Sequence, residues 1–119
     1  IEAYKTARKA GMSGREIEAA ALTQAAMMLT ECQKNWDAPG REAVLHEVLK
    51  FNQVLWSIFQ AELAEKDNPL PKELKEDILS LSAFVDKRIF DIMAFPAPEK
   101  LTTIININMS LAFGLRGEP

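Results

Sequence analysis

The sequence is poor in the residues that most catalytic and metal sites require. Its 119 residues contain a single cysteine, Cys32, and a single histidine, His46. One cysteine excludes a disulfide within the chain, so a reducing compartment is the expected location. No apolar run approaches the roughly 18 residues that a membrane-spanning helix needs, and no secretory signal is visible at the start of the chain. These scarcities predict a cytoplasmic protein without a membrane span.

A cluster of positive charge is missing as well. The chain carries 14 basic and 17 acidic residues, which give a net charge of -3, and the two signs are dispersed along it. Sequence-independent binding to nucleic acid depends on clustered Lys and Arg side chains. The charge pattern therefore indicates a solvated surface of mixed charge, and we expect no nucleic-acid partner.

What the sequence does contain is regular apolar spacing. Apolar residues make up 48% of the chain and recur at steps of three and four, which is the period of amphipathic helices. A short helix is compatible with residues 2–9, ahead of the longer segments. The main helices predicted from this spacing cover about 14–36, 40–65, 71–94 and 98–113.

Proline and glycine mark the breaks between these helices, near Asp37–Gly40, Lys66–Pro71 and Phe95–Pro98. A glycine at position 114 or 117 supplies the left-handed residue that ends the last helix. Connections this short favour antiparallel neighbours. The expected fold is an all-α antiparallel bundle of four main helices in a single domain, residues 1–119.

The apolar stripe of each helix predicts the core. The second helix has the widest apolar arc, because Val44, Phe51, Val54 and Ile58 extend its main stripe. It is therefore central in the bundle, or a partner covers part of it. The predicted core residues are Leu22, Ala25, Leu29, Cys32 and Trp36; Leu45, Val48, Leu49, Asn52, Leu55, Trp56, Phe59 and Leu63; Leu74, Ile78, Leu81, Val85, Ile89 and Ile92; Leu101, Ile104, Ile105, Asn108, Leu111, Ala112 and Leu115.

No arrangement of residues in the sequence is typical of an active site. Cys32 falls on an apolar stripe, which favours a small buried side chain over a nucleophile. His46 and Cys32 are too few for the ligand spacings of a zinc site, and no phosphate-binding or nucleophile motif is present. We expect no cofactor, no metal and no enzymatic activity.

Two asparagines interrupt the apolar stripes. Asn52 lies on the second helix and Asn108 on the last. A buried amide without hydrogen bonds costs about 1–3 kcal/mol, so each must find a partner. Either the two are satisfied core amides that fix helix register, or one of them caps the backbone of a bound partner.

Four apolar residues fall off the core faces and predict a partner-binding surface. Leu79 and Phe90 lie roughly opposite the core stripe of the third helix. Met109 and Phe113 lie beside the buried face of the last helix. Apolar residues in excess of what a bundle buries tend to mark interaction sites, and Met suits adaptable contacts with partner helices. The alternative is that the N-terminal segment or a second copy covers them.

An ordered set of short motifs runs through nearly the whole chain. Along the sequence these are Arg15-Glu16-Ile17-Glu18-Ala19; Phe51-Asn52-Gln53-Val54-Leu55-Trp56; Asn68-Pro69-Leu70-Pro71; Ser80-Leu81-Ser82-Ala83-Phe84-Val85; and Ile105-Asn106-Ile107-Asn108 with Gly114-Leu115. In this order and spacing the chain resembles the FlaF family of flagellar proteins from alphaproteobacteria.

The resemblance implies a role in flagellin production. Members of the family are associated with flagellin synthesis and export, as flagellin-binding secretion factors that oppose a repressor of flagellin translation. It implies a cytoplasmic chaperone that holds the terminal helices of unassembled flagellin, with the flagellar export apparatus as a second partner. The alternatives are a regulator that binds flagellin mRNA directly and a structural flagellar subunit.

Overall fold

The structure of the protein, a computed structural model, describes residues 14–117. This part of the chain forms an all-α bundle without a strand, as the sequence predicts. The short helix considered for residues 2–9 lies outside the described residues. The elements are α1 (Gly14–Lys34), α2 (Arg41–Leu63), α3 (Lys72–Ala94), a 3-10 turn (Pro98–Lys100) and α4 (Leu101–Leu115).

The breaks between the helices fall where proline and glycine predict them. Gly40 precedes α2 with a φ of 80°, and Gly117 follows α4 with a φ of 74°. Both angles lie in the left-handed region, which a side chain makes costly and glycine adopts freely. Of the two glycines considered for the end of the last helix, Gly117 supplies the stop, whereas Gly114 lies within α4.

The helices pack as a ring that is tight on one side and loose on the other. α1 packs most extensively against α4, α2 packs against both α1 and α3, and α3 touches α4 only lightly. Buried Ala19 and Ala26 on α1 and Ala112 on α4 carry small side chains, and small side chains allow helix axes to approach closely. Because α3 packs extensively against α2 alone, it is the peripheral helix of the bundle.

The predicted core face of α2 is confirmed at every position. All eight of its predicted core residues, of which Leu45 is the first and Leu63 the last, are buried. Trp56 is fully buried and meets the Phe59 ring edge to face, with 5.6 Å between the ring centroids. Edge-to-face pairs of this kind add to the stability that burial of apolar area provides. The centre of the fold is therefore the inner face of α2.

Five of the predicted core residues are not buried, since Leu74 is exposed and Trp36, Leu81, Ile105 and Leu111 are half-buried against the core. Leu74 is 39% exposed, because it lies in the first turn of α3, where the antiparallel α2 has already ended at Leu63. Trp36 is only half-buried, because it follows the end of α1. Ser82, which was not expected in the core, is buried and accepts a hydrogen bond from Gln60 Nε2.

The two asparagines are satisfied core amides. Trp56 Nε1 donates to Asn108 Oδ1 at 3.0 Å, Asn108 Nδ2 donates to Asn52 Oδ1 at 2.7 Å, and Asn52 Nδ2 donates to Val48 O at 2.8 Å. An indole nitrogen can only donate, so each amide orientation in this chain of hydrogen bonds follows from the preceding one. The network ties α2 to α4, and both amides are fully buried within the bundle, where a partner's backbone does not reach them.

Candidate partner-binding surface

Large apolar side chains are exposed on several faces of the described residues. More than half of them belong to α3 or to the residue directly after it, which is expected for the helix with the fewest neighbours. The exposed residues are Met27, Val44, Leu74, Leu79, Phe84, Phe90, Met93, Phe95 and Phe113. A partner can bind together only those that share one face of the bundle.

Leu79 and Phe90, predicted to contact a partner, are both exposed on α3, and Phe90 is 77% exposed. One face of this helix carries Leu79, Ala83, Asp86 and Phe90, which follow one another at steps of four, three and four residues. Asp86 interrupts this face, because its carboxylate accepts a hydrogen bond from Gln60 Nε2 at 3.3 Å. The two apolar residues therefore flank a polar contact between α2 and α3.

Met109 and Phe113, predicted as the second pair, lie on α4 and not near α3. Phe113 is 44% exposed and Met109 is half-buried. One face of α4 carries Thr102, Met109 and Phe113, spaced by seven and four residues, and Arg116 continues this face at the C-terminal cap three residues later. The two predicted pairs thus occupy separate surfaces of the bundle.

Hydrogen bonds between α1 and α4 show which part of α1 adjoins this face. Gln33 Nε2 donates to Thr102 Oγ1 at 2.9 Å near one end, and Arg116 Nη2 donates to Thr23 Oγ1 at 3.1 Å near the other. The two helices are therefore antiparallel, and their register sets Met27 level with the segment from Met109 to Phe113. Met27 is 62% exposed.

Thr23 and Thr30 stand one turn before and one turn after Met27 on the same side of α1. Their hydroxyl groups donate to carbonyl oxygens of their own helix, Thr23 to Ala19 O at 2.9 Å and Thr30 to Ala26 O at 2.8 Å. The Thr23 oxygen also accepts from Arg116, so the exposed guanidinium of Arg116 makes that end of the α1–α4 seam polar.

On the other side of Met27, a cleft of about 460 Å³ separates α1 from the start of α2. Its walls are mainly apolar, with Met28 and Val44 near the opening and Cys32 and Val48 at greater depth. The residues of α1 that line it run from Gln24 to Asn35, which corresponds to about 16 Å, or three helical turns. The exposed Glu31 and the half-buried Arg41 stand among its polar lining.

Sequence reasoning missed Met27 and assigned Val44 to the edge of a core stripe. A signal for Met27 was present, because it is a methionine off the core face of its helix, as Met109 is. Its level along α4 depends on the register of helices far apart in the sequence, and apolar periodicity does not reveal that register.

Comparison with known protein families provides the identification. Residues 1–115 match the family model described as flagellar protein FlaF. The chain belongs to the FlaF family. No curated protein and no solved structure matches this FlaF chain.

The cysteine and the histidine of this FlaF family member differ in their exposure to solvent. Cys32 is buried, and that burial raises the pKa of its thiol above the usual value, partly opposed by the positive charge of Arg41. His46 is exposed on α2. Residues 14–117 contain no group of three or more His, Cys, Asp or Glu side chains that could hold a metal ion. Within the same residues, no helix is long and apolar enough to cross a membrane.

Proposed function

We propose that this FlaF family protein is a cytoplasmic flagellin-binding chaperone that promotes flagellin synthesis and secretion during flagellum assembly. It holds the terminal helices of unassembled flagellin and passes them to the export apparatus, and it acts by binding and not by catalysis. The observation that carries the proposal is the match to a flagellar protein family over residues 1–115. The exposed apolar side chains of the bundle agree with it.

The physical requirement for such a chaperone is a surface that accepts an apolar helix face. Amphipathic helices bind by laying anchors spaced at three, four and seven residues into an apolar groove. Apolar patches of several hundred Å² are uncommon on proteins that act alone and tend to mark interaction sites. Exposed Met27, Phe90 and Phe113 supply apolar contact area on the outside of the bundle.

Co-purification with flagellin tests the proposal. The full chain is mixed with purified full-length flagellin, with flagellin lacking its N-terminal helix, and with flagellin lacking its C-terminal helix. We expect a stable complex with full-length flagellin that is lost with one of the two truncations. Failure of the chain to bind any of the three forms would overturn the proposal.

The salt dependence of binding separates a chaperone from a regulator that binds flagellin mRNA. Contacts with phosphates release counterions, so RNA affinity falls steeply as salt rises, whereas burial of apolar surface is far less sensitive. With a net charge of -3 and dispersed basic residues, we expect flagellin binding that persists at high salt and no complex with flagellin mRNA. Recovery of the protein as a stoichiometric component of purified filaments would instead indicate a structural subunit.

A further inference from the structure

We infer that residues 1–13, which precede α1, dock into an apolar cavity at the end of the bundle where α1 begins and α4 ends. This segment of the same chain supplies Tyr4 and Met12 as apolar anchors. Its basic side chains lie beside Glu18 and Glu62. The inference concerns a contact within the chain, so it stands or falls independently of flagellin binding.

The cavity has a volume of about 380 Å³, and α1, α2, α3 and α4 all contribute to its walls. It opens on the loose side of the bundle, where α3 touches α4 only lightly. A cavity of about 150 Å³ holds a benzene ring, so this one admits two large side chains. Its apolar lining consists mainly of Phe59, Leu63, Leu70, Ile78, Leu111 and Leu115.

The core is least completely covered at this cavity. Among the buried apolar residues of the described chain, Leu63 and Leu115 retain the largest exposure, 8% each, and both line the cavity. An unfilled apolar cavity lowers stability, because its lining lacks contacting atoms on one side. Apolar side chains from another part of the chain would therefore stabilise the bundle by filling it.

The covalent chain delivers the segment to this cavity. Gly14, the first residue that the structure describes, is part of the lining, so Met12 lies no more than about 7 Å of chain away from it. Tyr4 lies ten residues before Gly14, which is about 15 Å along a helix. Tyr4, Ala7 and Ala10 are spaced by three, a spacing that puts side chains on one side of a helix.

The tether also decides between this occupant and a separate molecule. A segment joined to its site by a short linker acts at an effective concentration in the mM range. Residues 1–13 of a second copy have the same chemistry but lack this advantage. The lining covers only about one turn of α1 and one of α2, whereas a bound flagellin helix needs a groove for anchors up to seven residues apart.

Charge at the cavity favours the same occupant. The segment has one acidic and three basic residues, hence a net charge of +2. The charged residues of the cavity lining are the half-buried Glu18 and Glu62 and the exposed Arg15. Opposite net charges on the segment and the lining attract. The basic residues of the segment are Lys5, Arg8 and Lys9.

The surroundings of the cavity keep the negative sign. Residues 62–78, which run from the end of α2 through the first turns of α3, contain six acidic and three basic residues. The nearest positive charge on α4 is Arg116, and its Nη2 donates to Thr23 Oγ1 at 3.1 Å. The acidic end of the bundle therefore attracts a basic segment in spite of its own Lys and Arg side chains.

Methionine oxidation in the 119-residue chain tests the docking. Met27 is 62% exposed and serves as the internal reference. We expect dilute peroxide to oxidise Met12 severalfold more slowly than Met27 in the native chain, and at the same rate in the denatured chain, as measured by peptide mass spectrometry. Equal rates in the native chain would overturn the docking. Protection of Met12 that grows with protein concentration would assign the cavity to a second copy and overturn the contact within the chain.

Charge reversal tests the position of the segment. Glu62→Lys should raise the oxidation rate of Met12 by about two- to fivefold, in line with loss of a partly exposed ion pair. Glu47→Lys is the matched control, because Glu47 is exposed on the same helix, about 22 Å away, and it should leave the rate unchanged. Equal effects of the two substitutions would overturn the placement beside Glu62.

Rescue separates a direct contact from a loss of structure. In the Glu62→Lys chain, the three basic residues of the segment are replaced by glutamate, as Lys5→Glu, Arg8→Glu and Lys9→Glu. Protection of Met12 should return, because the charges on both sides are then reversed. A chain damaged by Glu62→Lys alone would not recover, and absence of rescue would overturn the ion pairing.

A cavity-filling substitution gives an independent readout. Tyr4 is the only tyrosine of the chain, so nitration by tetranitromethane reports on it alone. Leu111→Trp should fill the cavity and make Tyr4 and Met12 as reactive as in the denatured chain, with a cooperative melting curve retained. Met109→Trp, also at a half-buried position of α4 but outside the cavity lining, should leave both slow. Slow reaction of Tyr4 and Met12 in folded Leu111→Trp would overturn the inference.

The charge variants remain decisive if Leu111→Trp fails to fold. None of these measurements contains flagellin. A chain in which Met12 is protected but which does not bind flagellin would refute the proposed function and leave the docked segment standing.

Discussion

Replacement of Asn108 by alanine should destabilise the bundle far more than its size suggests. The Asn108 amide accepts from Trp56 Nε1 and donates to Asn52 Oδ1, at 3.0 and 2.7 Å. Asn108→Ala leaves both of these buried groups without a partner. An unsatisfied buried polar group costs about 1–3 kcal/mol, so the two together should lower the free energy of unfolding by about 2–6 kcal/mol.

That loss is a large share of what holds the fold together. Domains of this size have a total stability of about 5–15 kcal/mol, and each 1 kcal/mol shifts the melting temperature of a domain near 100 residues by about 4–8 °C. We therefore expect the melting temperature of Asn108→Ala to fall by about 10 °C or more. Denaturant unfolding followed by far-UV circular dichroism gives the free energy, and tryptophan fluorescence reports on Trp56.

Asn106→Ala is the matched control, because Asn106 is on the same helix, two residues away, and exposed. A surface substitution of this kind should change stability by no more than about 0.5 kcal/mol. Equal unfolding free energies for Asn108→Ala and Asn106→Ala would refute the reasoning, since the buried hydrogen bonds would then contribute nothing measurable.

Further expectations concern the core and its titrating groups. Trp56→Ala should cost about 3–5 kcal/mol in thermal unfolding; intact stability with lost flagellin binding would make Trp56 a partner contact. Asn108→Asp should be most stable at low pH, because only the neutral carboxyl can donate to Asn52 Oδ1. Burial and this bond raise its folded pKa above about 3.9, so its stability, measured as denaturation midpoints across pH, should fall as pH rises through that pKa. Burial raises the pKa of the Cys32 thiol, so iodoacetamide should alkylate the folded chain much more slowly than the denatured chain; similar rates would show that the core opens readily.

The sequence predicted the fold well because its strongest local signals agree with the tertiary structure. Proline and glycine punctuate every break, and the apolar stripe of α2 is so regular that all its predicted core residues are buried. Asn52 and Asn108 could be nominated as buried, but their bond to each other depends on the register between α2 and α4, which no local pattern contains.

The errors have a common cause in what lies opposite each helix. Leu74 continues the apolar stripe of α3, yet no helix covers that turn, so it is exposed. Ser82 is polar, yet Gln60 on α2 provides the hydrogen bond that permits its burial. Met27 lies level with the segment from Met109 to Phe113 because α1 and α4 are antiparallel in this register. A helical wheel gives the direction of a side chain, and only the fold gives its neighbour.

The close pairing of α1 with α4 has a consequence for the order of events during synthesis. The hydrogen bond between Thr23 and Arg116 joins residues 93 apart in the sequence, and contacts this distant form late, because a long loop must close first. While the ribosome is still adding α4, the alanine-rich face of α1 and the Trp56 N–H have no partner from that helix. The nascent chain is then at its most exposed to aggregation and proteolysis. The bundle can therefore close its core only after α4 has left the ribosome.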